Sequence, residues 1–299
     1  MMKYNLLGKS DVAVSRISFG CMSLDGGHAA NARLLHRALD KGINFFDTAD
    51  LYQKGENEIT VGKAFSGMRD QVLIATKVGN QWRQDGSGWD WNPGKAYILQ
   101  AVEKSLQRLQ TDYIDLYQLH GGTMDDPIDE TIEAFELLQQ QGKIRYYGIS
   151  SIRPNVIREY VKRSGIVSVM MQYSLLDRRP EETILDLLQQ HNIGVLVRGG
   201  LAQGLLAGKP AKPYLGYTSA EVRKAADAVQ AIAGTTRKAA EVAVQFALHH
   251  PAISAAILGI RTAEQLDDAL LAANAAALTG EEIKTLQSVL PANKYEQHR

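Results

Sequence analysis

Eight short apolar segments alternate along the chain with longer segments of helical periodicity, and this alternation restricts the possible folds more than any other feature. Short runs of this kind predict buried strands, and the longer segments predict helices that connect parallel strands. The predicted strands are Val14 to Phe19, Asn44 to Thr48, Val72 to Thr76, Ile114 to Leu119, Ile144 to Ile149, Val167 to Met171, Ile193 to Val197 and Ser254 to Leu258. The predicted helices are Ala30 to Lys41, Glu56 to Phe65, Gly94 to Leu109, Asp129 to Gln141, Pro154 to Arg163, Glu181 to Gln190 and Thr262 to Ala273.

Eight strand–helix units favour closure into a (β/α)8 TIM barrel, an α/β fold. The main rival is an open doubly wound sheet, but the Gly-x-Gly-x-x-Gly fingerprint of its dinucleotide-binding members does not follow the first strand. We therefore predict a single barrel domain over residues 1–299. A hairpin within Met1 to Asp11 is predicted to cap the barrel floor, and Gly280 to Leu290 is predicted to form an extra C-terminal helix.

The charge balance excludes several classes of partner. The 33 basic and 33 acidic side chains cancel, so no net field attracts nucleic acid or an anionic membrane surface. No apolar run approaches the roughly 18 residues that span a bilayer, and the N-terminus lacks the apolar core of a signal peptide. We expect a cytoplasmic protein. Cys21 is the only cysteine, which excludes an internal disulfide and a cysteine-based metal cluster, and we predict no metal site.

Four polar residues stand where predicted strands end. Asp47 and Lys77 close the second and third strands, His120 follows the fourth, and Tyr52 lies five residues after Asp47. Because the carboxyl ends of parallel barrel strands open at one mouth, these side chains are expected to converge there. The alternative for Asp47 and Lys77 is a structural ion pair. The combination with Tyr52 and His120 favours an active site.

These residue types suit proton donation to a carbonyl oxygen. A tyrosine has a pKa near 10, about three units too high for a general acid near pH 7. An ammonium about 4 Å away is worth on the order of 4 kcal/mol at an effective dielectric of about 20, so Lys77 is expected to lower the Tyr52 pKa sufficiently. Asp47 would hold Lys77, and His120 would donate a hydrogen bond to the substrate oxygen. Since no side chain delivers hydride, a nicotinamide cofactor is required.

Three sequence stretches carry motifs that are specific to one family. They are Gly-Ile-Asn-Phe-Phe-Asp-Thr-Ala-Asp-Leu-Tyr at 42–52 with Gly55, Glu58 and Gly62 after it, Leu-Gln-Arg-Leu-Gln-Thr-Asp-Tyr-Ile-Asp-Leu-Tyr-Gln-Leu-His at 106–120, and Gly-Lys-Ile-Arg-Tyr-Tyr-Gly-Ile-Ser at 142–150. In these motifs the chain resembles the aldo-keto reductases, and the resemblance covers almost its whole length. It implies a (β/α)8 barrel in which Tyr52 is the acid, Lys77 and Asp47 tune it, and His120 orients the carbonyl.

The resemblance also implies NADPH bound across the barrel mouth without a doubly wound unit. Ser150, Ser151 and Gln172 would contact the nicotinamide amide, and residues 201–209 would cover the pyrophosphate. The full set of implied cofactor residues is Gly20, Cys21, Met22, Asp47, Ser150, Ser151, Gln172, Arg198, Gly199, Gly200, Leu201, Gln203, Gly204, Leu205, Gly259, Arg261, Thr262 and Gln265. Arg261, Thr262 and Gln265 would surround the 2′-phosphate at a helix start. The chain departs from the family pattern at Ser151, where asparagine is common, at Arg198, where many members place an aromatic, and at Ala269, where asparagine is usual.

Two connections are longer than usual for a compact barrel, which indicates functional loops. Arg198 to Ser219 is rich in glycine, and Val78 to Asn92 holds all three tryptophans. Ordinary packing is the alternative for the tryptophans, but their clustering favours a ligand wall. The predicted substrate contacts are Tyr52, Trp82, Trp89, Trp91 and His120.

The leading functional hypothesis is an NADPH-dependent reductase of small aldehydes or ketones. A lyase that uses Lys77 as a Schiff base is disfavoured, because the neighbouring Asp47 would keep the lysine protonated. An NADPH-binding redox sensor or regulatory subunit with little turnover is the alternative. Cys21 is either an inert buried thiol or an oxidation-sensitive group beside the cofactor. The sequence assigns no oligomeric state.

Overall fold

The computed structural model describes residues 2–299, and most of its strands belong to one closed parallel barrel. In chain order the strands are β1 (Tyr4–Leu6), β2 (Ala13–Ser15), β3 (Ile17–Gly20), β4 (Phe45–Asp47), β5 (Leu73–Val78), β6 (Asn80–Trp82), β7 (Trp89–Trp91), β8 (Ile114–Leu119), β9 (Ile144–Ser150), β10 (Ser168–Gln172), β11 (Gly194–Arg198) and β12 (Ile253–Gly259). The barrel follows the order β3, β4, β5, β8, β9, β10, β11 and β12, and β12 pairs back onto β3. The (β/α)8 prediction is confirmed.

Helices follow the barrel strands and cover the outside of the sheet. They are α1 (His28–Asp40), α2 (Glu56–Ala64), α3 (Lys95–Leu109), α4 (Ile128–Gln140), α5 (Pro154–Arg163), α6 (Ile184–Gln190), α7 (Ser219–Ala233), α8 (Ala239–Ala247), α9 (Ala263–Asn274) and α10 (Gly280–Val289). The extra C-terminal helix is thus present. Among residues 2–299, no helix combines the length and the apolarity needed to cross a membrane.

The barrel is filled by its own side chains. An inner cluster of buried residues includes Phe45, Leu116 and Leu196 from three barrel strands, as expected for the packed layers of such a barrel. Leu7, Val12 and Val14 of the N-terminal hairpin belong to the same cluster. The hairpin therefore closes one end of the barrel, as predicted, and leaves the other end for a site.

The N-terminal segments differ from the sequence prediction in their bounds. The predicted strand Val14 to Phe19 is two strands, because Ala13–Ser15 pairs antiparallel with β1 while Ile17–Gly20 enters the barrel. The hairpin therefore extends beyond Asp11. Two hydrogen bonds fix the break: the Ser15 amide donates to the Asn44 side chain at Oδ1 (2.8 Å), and the Arg16 amide donates to the Lys3 carbonyl.

Two other segments also differ in detail. The loop from Val78 to Asn92 contains an antiparallel hairpin, in which β6 pairs with β7. The predicted helix Glu181 to Gln190 is a 3₁₀ turn at Arg179–Glu182 followed by α6, because Thr183 interrupts the helix with a φ of −156°. In that turn Glu181 accepts a hydrogen bond from Tyr173 at 2.7 Å, a tertiary contact that local periodicity does not encode.

The register of the strands places several polar residues at the open mouth. Gly20 is paired with Asp47 on one side and with Gly259 on the other, and Gln172 is paired with Arg198. These residues end their strands at the same level. The carboxyl ends of the strands and the loops that follow them therefore form the walls of one cleft.

Candidate active site

Asp47, Tyr52, Lys77 and His120 come together at the carboxyl end of the barrel. Asp47 ends β4, Lys77 lies one residue before the end of β5, and His120 follows β8. Tyr52 begins a 3₁₀ turn, Tyr52–Gly55, that bends the chain back over the mouth. In this turn Gln53 has a φ of 51°. Residues other than glycine rarely adopt this left-handed backbone conformation, and where they do, they are concentrated at functional sites.

The Lys77 ammonium forms the centre of the site. Its Nζ donates to Asp47 Oδ2 at 2.7 Å, to the Thr48 carbonyl at 2.8 Å and to the Tyr52 hydroxyl at 3.2 Å. An ammonium has three donors, so all three are used. Burial alone would lower the pKa of Lys77, but Asp47 and Tyr52 outweigh burial and raise it above its usual value. Lys77 is therefore charged at neutral pH.

The pKa of Tyr52 corrects one expectation from the sequence. Lys77 lowers this pKa, as expected, but burial of the phenol has the larger effect, and the pKa is raised above its usual value. Desolvation disfavours the phenolate form. The magnitude of this effect depends on how deeply the side chain is buried, which the spacing of residues in the sequence does not reveal. Tyr52 is therefore fully protonated at neutral pH, with a cation already beside the oxygen that would become charged.

His120 faces Tyr52 and has a free ring nitrogen. The two rings are 5.9 Å apart and nearly perpendicular. Burial, together with the charges of Lys77 and Arg198, lowers the pKa of His120 to about 3, so the imidazole is neutral. Its Nδ1 is buried without a hydrogen-bond partner among residues 2–299, while its Nε2 is not buried, also forms no hydrogen bond there and belongs to a ring that lines the cleft. A neutral imidazole carries one N–H donor and one acceptor, which leaves hydrogen-bonding capacity for a substrate.

These four residues lie in a cleft of about 980 Å³. Trp89 and Trp91 line the cleft, and Trp91 is fixed by a hydrogen bond from its Nε1 to Asp126 Oδ1 at 2.9 Å. Trp82 does not line the cleft. Its ring instead lies 5.1 Å from Lys54 Nζ, so it packs against the turn that carries Tyr52. The structure thus brings two of the three predicted tryptophans to the cleft.

Several cleft residues were not predicted from the sequence. They are Ser23, Leu51, Asn80, Gly121, Gly122, Thr123, Ile152, Arg153, Met170 and Ile257. Most of them stand within a few residues of a predicted strand end or next to a predicted site residue. Position relative to the strand ends is therefore the signal that would have found them, since the loops after these strands form the mouth.

A second cavity of about 850 Å³ continues the cleft toward α9. The two share Gly199, Gln203, Ile257 and Gly259, so they form one groove. The second cavity is lined by Gly200, Leu201, Gly204, Arg261 and Gln265 of the predicted cofactor set, and also by Lys209, Arg237, Lys238, Asp268 and Ala269.

The groove fits an extended dinucleotide. Gly204 has a φ of +91°, a left-handed conformation that glycine adopts readily and in which other residues would be strained. Basic side chains gather at the far end around Arg261, where Asp268 is the one acidic residue of the cavity wall. An elongated groove with a basic end matches a cofactor that carries phosphates.

Three residues of the predicted cofactor set do not line the groove. Cys21 and Leu205 are buried in the hydrophobic core, and burial raises the pKa of the Cys21 thiol well above its usual value. Thr262 caps α9, where its hydroxyl accepts a hydrogen bond from the Gln265 amide at 3.2 Å. A buried thiol that stays protonated is unreactive, which favours an inert Cys21. The others, including Gly20, Met22, Ser150, Ser151, Gln172 and Arg198, line the groove.

Comparison with known proteins agrees with this arrangement. Residues 16–291 match the family model of the aldo/keto reductase family. The chain is 51% identical to the uncharacterized oxidoreductase YqkF of Bacillus subtilis (strain 168), with 100% of both chains covered. It superposes on the holo form of aldo-keto reductase AKR11C1 from Bacillus halodurans with a TM-score of 0.95 and 52% identity, again over 100% of both chains. It is 35% identical to an NADH-specific methylglyoxal reductase of Escherichia coli (strain K12), with 72% of each chain covered.

These matches identify an oxidoreductase that binds a nicotinamide cofactor and acts on small carbonyl compounds. The strand-end residues, the glycine-lined groove and the family match over residues 16–291 all lead to the same assignment. The chain belongs to the aldo/keto reductase family.

Proposed function

We propose that this protein is an NADPH-dependent reductase of aldehydes or ketones in which Tyr52 supplies the proton. The observation that carries the proposal is the chain of contacts from Asp47 through Lys77 to the Tyr52 hydroxyl, beside the His120 ring that lines the same cleft. A structural ion pair would need neither the tyrosine contact nor an unpaired imidazole facing a cleft.

Lys77 and Asp47 stabilise the charge that forms when Tyr52 gives up its proton. As the phenol O–H transfers its proton to the carbonyl oxygen, negative charge develops 3.2 Å from the Lys77 ammonium. Asp47 keeps the ammonium charged, and the Thr48 carbonyl fixes its direction. Such preorganised charge in a buried site is among the largest contributions to catalysis.

His120 positions the carbonyl oxygen. Because its pKa is near 3, it is a neutral donor and does not compete with Tyr52 for the role of acid. A hydrogen bond from its N–H polarises the carbonyl and holds the oxygen near the Tyr52 hydroxyl. The nicotinamide, when bound, supplies the hydride.

The preference for NADPH is supported by charge at the far end of the groove. Arg261, Lys209 and Lys238 line this end, and a 2′-phosphate carries up to two negative charges. Arg261 stands just before α9, whose N-terminus also favours an anion. The Escherichia coli relative is named as NADH-specific, so the test of this proposal compares NADPH with NADH.

The same geometry argues against the two rival functions. A Schiff base requires an uncharged lysine, but the raised pKa of Lys77 keeps it protonated, and its three hydrogen bonds hold it in place. A sensor without turnover would have no need for a proton donor, a neutral histidine and an open cleft in one arrangement.

An NADPH-oxidation screen over aldehydes, ketones and dicarbonyls, with NADH in parallel, tests the proposal. We expect turnover with NADPH that is lost in Tyr52→Phe. Tight NADPH binding without turnover on any carbonyl would instead support the sensor. Borohydride trapping of substrate on Lys77 without a nicotinamide requirement would support the lyase.

A further inference from the structure

Arg153 lies at the junction of two cavities. It is the last residue before α5 and lines the catalytic cleft. It also lines a third cavity of about 780 Å³, formed largely by residues 291–298 near the C-terminus. Ile152 lines both cavities as well. A substrate longer than the catalytic cleft would therefore pass over Arg153 on leaving it.

The Arg153 guanidinium has few hydrogen-bond partners within the protein. Its Nη1 donates to the Gly122 carbonyl at 2.5 Å, and no carboxylate oxygen of residues 2–299 lies within 4.0 Å of it. Asp126, four residues after Gly122, is already bonded to Trp91 and Thr123. A guanidinium has five N–H donors in a fork that matches carboxylate or phosphate, so this partly buried cation retains capacity for an anion.

The side chains that line the cleft carry a net positive charge, although the net charge of the whole chain is zero. The charged side chains that line it are Asp47, Lys77, Arg153 and Arg198. Asp47 and Lys77 neutralise each other, while Arg198 bonds only to the uncharged Gln172, at 3.1 Å. Two arginines therefore remain without a carboxylate. The N-terminus of α5, a helix of 10 residues, adds a partial positive charge beside Arg153.

The other arginine and lysine side chains in the wall of the third cavity already have acidic partners, whereas Glu296 in the same wall forms no ion pair among residues 2–299. Arg179 is paired with Asp177 at 2.7 Å, Lys294 approaches Glu182 at 3.8 Å, and Glu221 caps α7 through Thr218. Among the cations at the junction, Arg153 is the one left to a ligand.

We propose that Arg153 is a specificity-determining residue that binds an anionic group, a carboxylate or a phosphate, on the part of the substrate distal from the reacting carbonyl. The inference rests on the proposed reductase function. Trp89 and Trp91 form an apolar wall of the cleft, which suits an uncharged spacer between the two groups. The substrate class is thus a carbonyl compound with a terminal anion.

Paired substrates test this role. Straight-chain ω-oxo carboxylates are assayed beside their methyl esters, and ω-oxo alkyl phosphates beside the ω-oxo alcohols, so that the two anion types are distinguished. Wild-type protein is expected to show a higher kcat/KM for the anion in at least one series. Arg153→Gln should reduce that preference about ten- to a hundred-fold, mainly through KM, and leave the neutral partners within about two-fold.

Arg158→Gln is the matched control. It removes the same charge from an exposed position on α5, where Arg158 bonds to Thr183, and it should leave the preference unchanged. Arg153→Lys should retain part of the preference for the anionic substrate, because an ammonium keeps the positive charge but cannot donate two parallel hydrogen bonds to a carboxylate or phosphate.

Three results would overturn the inference. They are equal kcat/KM for anionic and neutral partners in every series, an equal loss on both partners in Arg153→Gln, and the same loss in Arg158→Gln. An equal loss on both partners would make Arg153 only a support for the Gly122 loop. Absence of NADPH turnover with all of these carbonyls would contradict the proposed function itself, which is a separable outcome.

Discussion

The two ends of the groove hold their charges in opposite ways. At the catalytic end the Lys77 side chain is 1% exposed and bonded to Asp47 at 2.7 Å. At the far end the Arg261 side chain is 54% exposed, and its ion-pair partner Asp25 is 3.9 Å away. In the proposed function, the charge that stabilises the reaction is buried and fully bonded, and the charge that selects the cofactor is left to solvent.

The difference has a physical basis. A buried charge interacts strongly because little water screens it, but its desolvation must be offset by fixed partners. An exposed charge costs little to keep and can change its partner, but each contact is weak. Substitutions at the catalytic end should therefore have large and linked effects, and those at the far end should have small and separable ones.

Tyr52→Phe should have the largest effect on activity. It removes the transferable proton and leaves the ring, so carbonyl reduction should fall by about 10²–10⁴-fold while NADPH affinity changes little. Steady-state rates and a fluorescence titration of NADPH measure the two quantities. Retention of more than about a tenth of wild-type turnover would remove Tyr52 from the role of acid.

Lys77→Met should damage both activity and stability. It leaves Asp47 buried without its cation, which typically costs about 3–5 kcal/mol in the free energy of unfolding. Turnover should also be lost, because the charge on Tyr52 is no longer stabilised. The double variant Asp47→Asn/Lys77→Met removes both charges and should recover much of the stability but none of the activity. If the double variant were as unstable as the single one, the buried charge would not be the cause.

Much of this end of the molecule was predictable from the sequence. Strand ends are marked by the change from apolar to polar residues, and parallel strands bring their ends together, so Asp47, Lys77 and His120 could be placed. The predictions that failed were those that depend on how deeply a side chain is buried. The raised pKa of Tyr52 follows from desolvation, which a linear spacing does not contain.

The far end and the loops were less predictable for a related reason. Cys21 and Leu205 were predicted to contact the cofactor, yet both side chains are buried in the hydrophobic core. Trp82 lies on the loop predicted to touch substrate but packs against Lys54. A motif fixes the course of the backbone, and the direction of each side chain depends on packing against residues distant in sequence.

Asp50 is a second buried carboxyl near the mouth of the barrel, and comparing it with Asp47 leads to a prediction about how stability depends on pH. Asp50 is buried, its Oδ1 has no partner among residues 2–299, and its pKa is raised to about 8. Burial is the main cause, followed by repulsion from Glu58, while Arg108 and Lys77 oppose them. Burial also raises the pKa of Asp47, although its ion pair and hydrogen bond with Lys77 oppose that increase. Asp50 has no cation bonded to it, so less opposes the effect of burial there.

Asp50→Asn should make the stability of the protein less sensitive to pH between about 4 and 8. The folded-state pKa lies above the unfolded value of about 3.9, so the stability that Asp50 contributes is complete below pH 4 and is lost as pH rises toward 8. A difference of about four pKa units corresponds to a loss on the order of 5 kcal/mol. Denaturant unfolding between pH 4 and pH 9 should show a flatter curve for Asp50→Asn than for wild type. Parallel curves would mean that Asp50 is ionised throughout.

Arg261→Ala tests the exposed end. A hydrogen bond between charged groups is worth about 1.5–3 kcal/mol, and solvent around Arg261 places the expected loss near the lower limit. NADPH affinity should therefore fall about ten-fold, with NADH affinity nearly unchanged, as measured by titration of both cofactors. Equal affinities in wild type, or an equal loss for both cofactors, would contradict a role at the 2′-phosphate. Ala269 in the same wall leaves space for the adenosine to shift, and such a shift would produce the equal loss.

Lys238→Met should have the smallest effect and provides the sharpest comparison with Lys77→Met. Lys238 lies 2.6 Å from Asp268, nearly the same distance as Lys77 from Asp47, but its side chain is 59% exposed. Water solvates both partners when the pair is broken, so the free energy of unfolding should fall far less than in Lys77→Met. That loss should shrink further in high salt, whereas the loss in Lys77→Met should not, because salt screens exposed pairs far more than buried ones. Denaturant unfolding of both variants at low and high salt measures this. Similar losses in the two variants would show that distance, rather than burial, sets the strength of these pairs, and the contrast between the two ends of the groove would fail with it.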